Sequence, residues 1–108
     1  MSTTVEVDVR NGSGLHARPA ATFVRAAAAR STDVRIKNVT TDSLEVNAKS
    51  IIAVLSIGVL RGHRIRLTAT GDDEAVVAET LRSLVASGIG EPVDPAPTAG
   101  NEGGQRPS

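Results

Sequence analysis

Two histidines occur in this 108-residue chain, in different settings. His16 follows the turn-forming run Gly12-Ser13-Gly14 and Leu15, and precedes Ala17-Arg18-Pro19, where an apolar helical period begins. A neutral imidazole is a nucleophile toward phosphorus. At a helix start, the N-phosphoryl product would lie against backbone N–H groups that the helix leaves unpaired. Arg18, two residues on, would offer a guanidinium fork to the phosphoryl oxygens. The arrangement suits a phosphohistidine. A histidine that merely caps the helix beside a solvated arginine has the same spacing, so the spacing alone leaves both readings open. His63, in the turn Gly62-His63-Arg64, has no helix start beside it and is assigned no role.

The same run, Gly12 to Ala17, also fits the dinucleotide-binding pattern G-x-G-x-x-A, with Asp33 following 21 residues after Gly12. The acid of that pattern ends the second strand, whereas Asp33 begins one, and no second mononucleotide half follows. The anion-binding physics of a glycine turn feeding a helix survives this rejection.

Composition narrows the chemistry further. The 12 basic and 12 acidic side chains cancel, and Phe23 is the lone aromatic residue, so neither the charge nor the stacking surface for nucleic acid is present. The absence of cysteine excludes disulfides, thiolate metal sites and a cysteine nucleophile. Two distant histidines suggest no metal site, and no cofactor is expected. Neither a secretory leader nor a membrane-length apolar run is visible, and a cytoplasmic location is expected.

From about Glu91 the chain turns to EPVDPAPTAGNEGGQRPS, with four of the five prolines. This composition predicts a disordered Pro/Gly-rich tail over 91–108 and a single domain over 1–90. Setting aside Glu91, Asp94, Glu102 and Arg106 leaves that domain 11 basic and 9 acidic groups, a net charge of +2.

The elements that must position His16 are legible as periods. Val5, Val7 and Val9 alternate with Glu6 and Asp8, predicting a strand from Thr3 to Val9. Ala20, Phe23, Val24, Ala27 and Ala28 follow a helical stripe, and Pro19 fits within a first turn whose N–H groups are unpaired. The helix therefore starts near His16 or Ala17. Val34 and Ile36, then Leu44 and Val46, predict two strands of a hairpin. Ser50 as N-cap and Gly58 past the end bracket a short helix over 51–57, although so short an apolar run also fits a strand. Ile65, Leu67 and Ala69 form a fourth alternating strand. Gly71-Asp72-Asp73-Glu74 opens a last helix with the stripe Val77, Leu81, Leu84 and Val85, ended by Gly88. The order β-α-β-β-α-β-α predicts an α+β open-faced sandwich, a four-stranded mainly antiparallel sheet with three helices on one face.

Gly14-Leu15-His16-Ala17-Arg18-Pro19 resembles the active-site signature of the HPr family, histidine-containing phosphocarriers of the bacterial phosphotransferase system. Asn47 to Gly58 resembles that family's regulatory-serine segment, and Thr68 to Glu74 its last strand and helix entry. The resemblance spans about residues 3–90 and implies the fold derived above. It implies a stoichiometric carrier, not an enzyme, phosphorylated on His16 Nδ1 by enzyme I from phosphoenolpyruvate and passing the group to an enzyme IIA during sugar uptake. Ser13, Ala17 and Arg18 correspond to its phosphate-binding positions. Two departures stand out: the Asn38–Leu44 stretch is about two residues longer than in common members, and the tail lies outside the family domain. A dihydroxyacetone-kinase relay, a nitrogen-regulatory relay, or a purely regulatory protein acting through the Ser50 face are alternative placements.

Ser50 carries two readings, a helix cap or the target of an HPr kinase/phosphorylase, with a transcriptional regulator as a further partner. Leu15, Ala17, Ala20, Ile51, Ile52 and Leu55 are the candidate docking patch for partners, with core packing as the competing reading for Ile52 and Leu55. Arg18, Arg25 and Lys49 would face acidic partner surfaces. The protein is expected to be a monomer.

Overall fold

Alternating valines decide which way the first strand faces. The computed structural model describes residues 1–93, and in it β1 (Ser2–Asp8) turns Val5 and Val7 inward and Glu6 and Asp8 to solvent. It pairs antiparallel with β4 (Arg64–Thr70), setting Val5 opposite Leu67 and Val7 opposite Ile65. On its other side β4 pairs antiparallel with β2 (Asp33–Asn38), which pairs in turn with β3 (Val46–Asn47). The sheet order is β1-β4-β2-β3. Because β4 lies between β1 and β2, no two adjacent strands run parallel, and the strand–turn–helix around Gly12 is not part of a dinucleotide-binding unit.

Three helices cover one face. In α1 (Ala17–Ala28), Pro19, Ala20, Phe23 and Ala27 are buried; in α3 (Glu74–Ala86), Val77, Ala78, Leu81 and Val85 are. The short α2 (Ile51–Ser56) buries Val54. Phe23, Leu15, Ile36, Ile65, Leu67 and Leu81 are the largest fully buried side chains of the one core. The opposite sheet face is polar, with Arg64 and Arg66 paired to Glu6 at 3.5 and 2.9 Å. Such exposed pairs contribute only about 0–1 kcal/mol each.

The hairpin departs from expectation. Only Val46 and Asn47 join the ladder, and Leu44, expected to face inward, is 83% exposed. Polar side chains close the ladder early: Ser43 Oγ accepts from the Asn38 N–H at 2.9 Å, Ser43 N–H donates to the Asn38 carbonyl at 3.0 Å, and Thr41 N–H donates to Asn38 Oδ1 at 3.4 Å. Backbone groups satisfied this way have no need of a strand partner.

Candidate functional site

The turn before His16 is built to be rigid. Gly14 N–H donates to the Asn11 carbonyl at 3.1 Å, and the buried Asn11 side chain donates back to the Gly14 carbonyl at 3.1 Å. Gly14 has φ +58°, and a Cβ there would lie 2.4 Å from the Val59 carbonyl oxygen. Leu15 is fully buried, and its N–H donates to that same carbonyl at 3.0 Å.

Anchoring on both sides exposes the residues between. Leu15 is sunk before the helix start and Pro19 and Ala20 after it, so His16, Ala17 and Arg18 bulge outward. His16 is the N-cap of α1 in extended backbone (φ −133°, ψ 163°), and its imidazole makes no capping hydrogen bond. Ala17 follows at φ +52°, a left-handed conformation costing a non-glycine residue about 1 kcal/mol or more. Among the described residues the Ala17 and Arg18 N–H groups find no acceptor, and Pro19 has no N–H to offer. The ring thus stands free beside two unpaired donors and an exposed guanidinium, and the positive end of the helix favours an anion there.

Ser13 lines one cleft with Ala17 and Arg18, and its donors are engaged by a carboxylate. Its N–H and hydroxyl both donate to the Glu91 carboxylate, at 3.1 and 2.9 Å, and Asn11 Nδ2 donates to it at 3.0 Å. These bonds, from the Asn11 side chain first and then from Ser13, hold the Glu91 carboxyl below the usual carboxylate range, with Arg18 adding a weaker attraction. A cleft of about 610 Å³ lies between Arg18 and this segment, lined also by Ala17, Leu84 and Ile89. The composition boundary at Glu91 therefore falls short of the last contact with the domain: Val93 also bridges to Asn11. Residues 94–108 of the expected disordered tail lie outside the described residues.

Ser50 caps α2, accepting from the Ala53 N–H at 3.2 Å. The expected docking patch divides. Ile51 and Leu55 are partly exposed and Ile52 is 75% exposed, but Leu15 and Ala20 are fully buried and cannot be docking residues. Their side chains fill the core on either side of the helix start, and Val54 rather than Leu55 is the buried member of its pair. Lys49 does not point freely at a partner either; its ammonium donates to the Arg30 carbonyl just past the end of α1, where the helix dipole favours a cation.

His63 is less idle than its turn suggested. Its Nδ1 accepts from the Leu60 N–H at 3.2 Å and lies 3.0 Å from the amide nitrogen of the buried Asn38, which also donates to the Ile57 carbonyl at 3.1 Å. This network ties down the 57–63 loop that carries Val59. Neither it nor Glu91 leaves a local signal, since Glu91 and Asn11 are 80 residues apart.

The sequence matches the PTS-HPr family, described as the PTS HPr component phosphorylation site, over residues 3–87. The chain belongs to the HPr family. It is 42% identical over 85 residues to the phosphocarrier protein HPr of Streptomyces coelicolor, covering 79% of this chain and 89% of that one. An HPr-C-His crystal structure from Thermoanaerobacter tengcongensis superposes with a TM-score of 0.78 at 40% identity, over 84% of this chain and 99% of that one. The multiphosphoryl transfer protein of Haemophilus influenzae is 38% identical over 89 residues, and the matched region spans 82% of this chain but only 18% of that larger protein. The family is that of the phosphocarrier component HPr of the phosphotransferase system. No helix among the described residues is long and apolar enough to cross a membrane.

Proposed function

We propose that the chain carries a phosphoryl group on His16 Nδ1, received from phospho-enzyme I and passed to an enzyme IIA. The observation that carries this reading is the uncapped His16 ring at the start of α1 beside the free Ala17 and Arg18 N–H groups. With the ring proton on Nε2, the Nδ1 lone pair forms the new N–P bond. The donor's own bond to phosphorus breaks and its electron pair returns to the donor atom. The two N–H groups and the Arg18 guanidinium then face the phosphoryl oxygens, compensating charge without covalent work.

Incubation with enzyme I and phosphoenolpyruvate should add one phosphoryl group by intact mass, labile in acid and stable in base, and absent from His16→Ala. Equal labelling of that variant would overturn the assignment.

Ser50 serves this reading as a control point. A phosphate on its hydroxyl would gain from the N–H groups of α2, but would place charge beside Ile51, Ile52 and Leu55, the apolar surface a partner must cover. Ser50→Asp should fold nearly as well as the parent, yet raise the apparent KM for transfer from enzyme I about tenfold, equivalent to ~1.4 kcal/mol. Ser50→Ala should lose only cap stability, about 1 kcal/mol. Parental kinetics in a folded Ser50→Asp protein would leave Ser50 as a helix cap alone.

A further inference from the structure

The turn that presents His16 is braced from behind by a second turn. Val9, the residue after β1, donates its N–H to the His63 carbonyl at 2.8 Å and accepts the Gly62 N–H at 2.7 Å. Leu15, immediately before His16, donates to the Val59 carbonyl at 3.0 Å. The entrance and the exit of the His16 turn are therefore both bonded to residues 59–63. Between them Gly14 packs so closely that a Cβ there would lie 2.9 Å from Leu60 Cα. The shape of the 59–63 segment thus sets the distance between the two anchors and the way the turn is held out.

That segment is closed by a side chain. The Leu60 carbonyl accepts the His63 N–H at 3.0 Å, and the Leu60 N–H donates in return to Nδ1 of the His63 ring at 3.2 Å. The buried Asn38 brings a second donor to the same atom: its Nδ2 donates to the Ile57 carbonyl at 3.1 Å and lies 3.0 Å from Nδ1, while its Oδ1 accepts the Thr41 N–H at 3.4 Å. A backbone N–H and a carboxamide nitrogen can only donate, so Nδ1 presents its lone pair to both and the ring proton sits on Nε2. The two histidines differ in kind. The His16 ring has no hydrogen-bond partner among the described residues, whereas the His63 ring is committed to the brace.

Resting on the carrier reading, we propose that His63 is a positioning residue for phosphoryl transfer at His16: its Nδ1 fixes the 59–63 brace, and the brace fixes the turn that presents the acceptor imidazole. His63 is not a second acceptor, because its Nδ1 lone pair is already engaged and its Nε2 bears the proton. It acts through the Leu60 N–H, the Val59 carbonyl and Leu15, with no contact to the phosphoryl group. Loss of the Nδ1 acceptor leaves Ile51, Ile52 and Leu55 in place, so the effect falls on the transfer step and not on docking.

The full chain and two variants test this. In the parent, proton–nitrogen correlation spectra of the imidazoles should find His63 protonated at Nε2 and bare at Nδ1; a proton on Nδ1 overturns the proposal. His63→Phe keeps a planar ring without an acceptor, and His63→Asn keeps an acceptor oxygen one bond from Cγ without the ring. His63→Phe should lower kcat for transfer from phospho-enzyme I about tenfold, with KM within about twofold of the parent. The Leu15 amide should exchange about tenfold faster in that variant. His63→Asn should return both readouts toward the parental values. Parental kcat in His63→Phe, an equal loss in the two variants, or a change confined to KM or to the melting temperature overturns the proposal. If His63→Phe does not fold, His63→Ala takes its place in the same comparison. Failure of enzyme I to label His16 in the parent defeats the carrier reading instead; phosphoramidate, which needs no protein donor, then supplies the phosphoryl group, and its rate of labelling His16 in the three proteins tests His63.

Discussion

Gly14→Ala should melt about 10–25 °C below the parent protein. The left-handed backbone at φ +58° costs an alanine about 1–2 kcal/mol. The larger difficulty is space, because the added Cβ would meet the Val59 carbonyl oxygen at 2.4 Å and Leu60 Cα at 2.9 Å. Both neighbours are backbone, so no flexible side chain can swing aside. Relief requires moving the 57–63 loop, which loosens the Leu15 N–H bond to Val59 and the His63 and Asn38 bonds behind it. Each such bond contributes about 1 kcal/mol, and the sum of about 2–4 kcal/mol converts at roughly 4–8 °C per kcal/mol for a domain of this size. A protein of about 90 residues holds only about 5–13 kcal/mol in all. Gly12→Ala is the internal control: nothing lies within 4 Å of its built Cβ and its φ is not positive, so it should melt close to the parent. Thermal unfolding of the two variants, followed by circular dichroism, checks the contrast; equal melting temperatures would show that the 57–63 loop yields without cost. Below its melting point Gly14→Ala should also accept phosphate more slowly, since the displaced turn carries His16 with it.

Arg18→Ala should do the reverse, leaving the fold intact and slowing transfer by about a hundredfold or more. Arg18 is exposed at the mouth of the cleft, so its loss removes little packing and about 0–1 kcal/mol of stability. In the proposed transfer, by contrast, the phosphoryl group spreads negative charge over its oxygens as it passes from donor to acceptor. A single preorganised donor at such a centre is worth about 10²–10³ in rate. Arg18→Lys should recover only part of the loss, because an ammonium replaces the charge but not the planar fork. Rapid-quench measurement of transfer from phospho-enzyme I, alongside melting curves, separates the effects. Parental rates in folded Arg18→Ala would make the guanidinium a bystander.

The two variants mark the division between local and tertiary information. His16 at a helix start, Ser50 as the cap of α2 and Gly58 and Gly88 beyond helix ends were readable because each depends on neighbours within four residues. Capping bonds, positive-φ glycines and apolar periods act at that range. The sheet order followed nearly as directly, since four alternating strands with one apolar face leave few ways to cover that face with three helices. The family signature in residues 14–19 added the chemistry that spacing left open.

Sequence by itself did not determine which members of an apolar run reach solvent. Leu15 and Ala20 fit a docking patch beside His16, yet burying them is what turns His16 and Arg18 outward. Leu44 fits a strand until the Asn38 and Ser43 side chains close the ladder ahead of it. Glu91 reads as the first residue of a polar tail, and His63 as an idle turn residue. Their roles come from partners 80 and 25 positions away, Asn11 and Asn38. A carboxylate finds its donors, and an imidazole its amide, only after the sheet has brought Asn11 to Glu91 and Asn38 to His63. Periodicity specifies the elements through short-range sterics and solvation; the placement of these polar groups depends on distances that exist only once the core has closed.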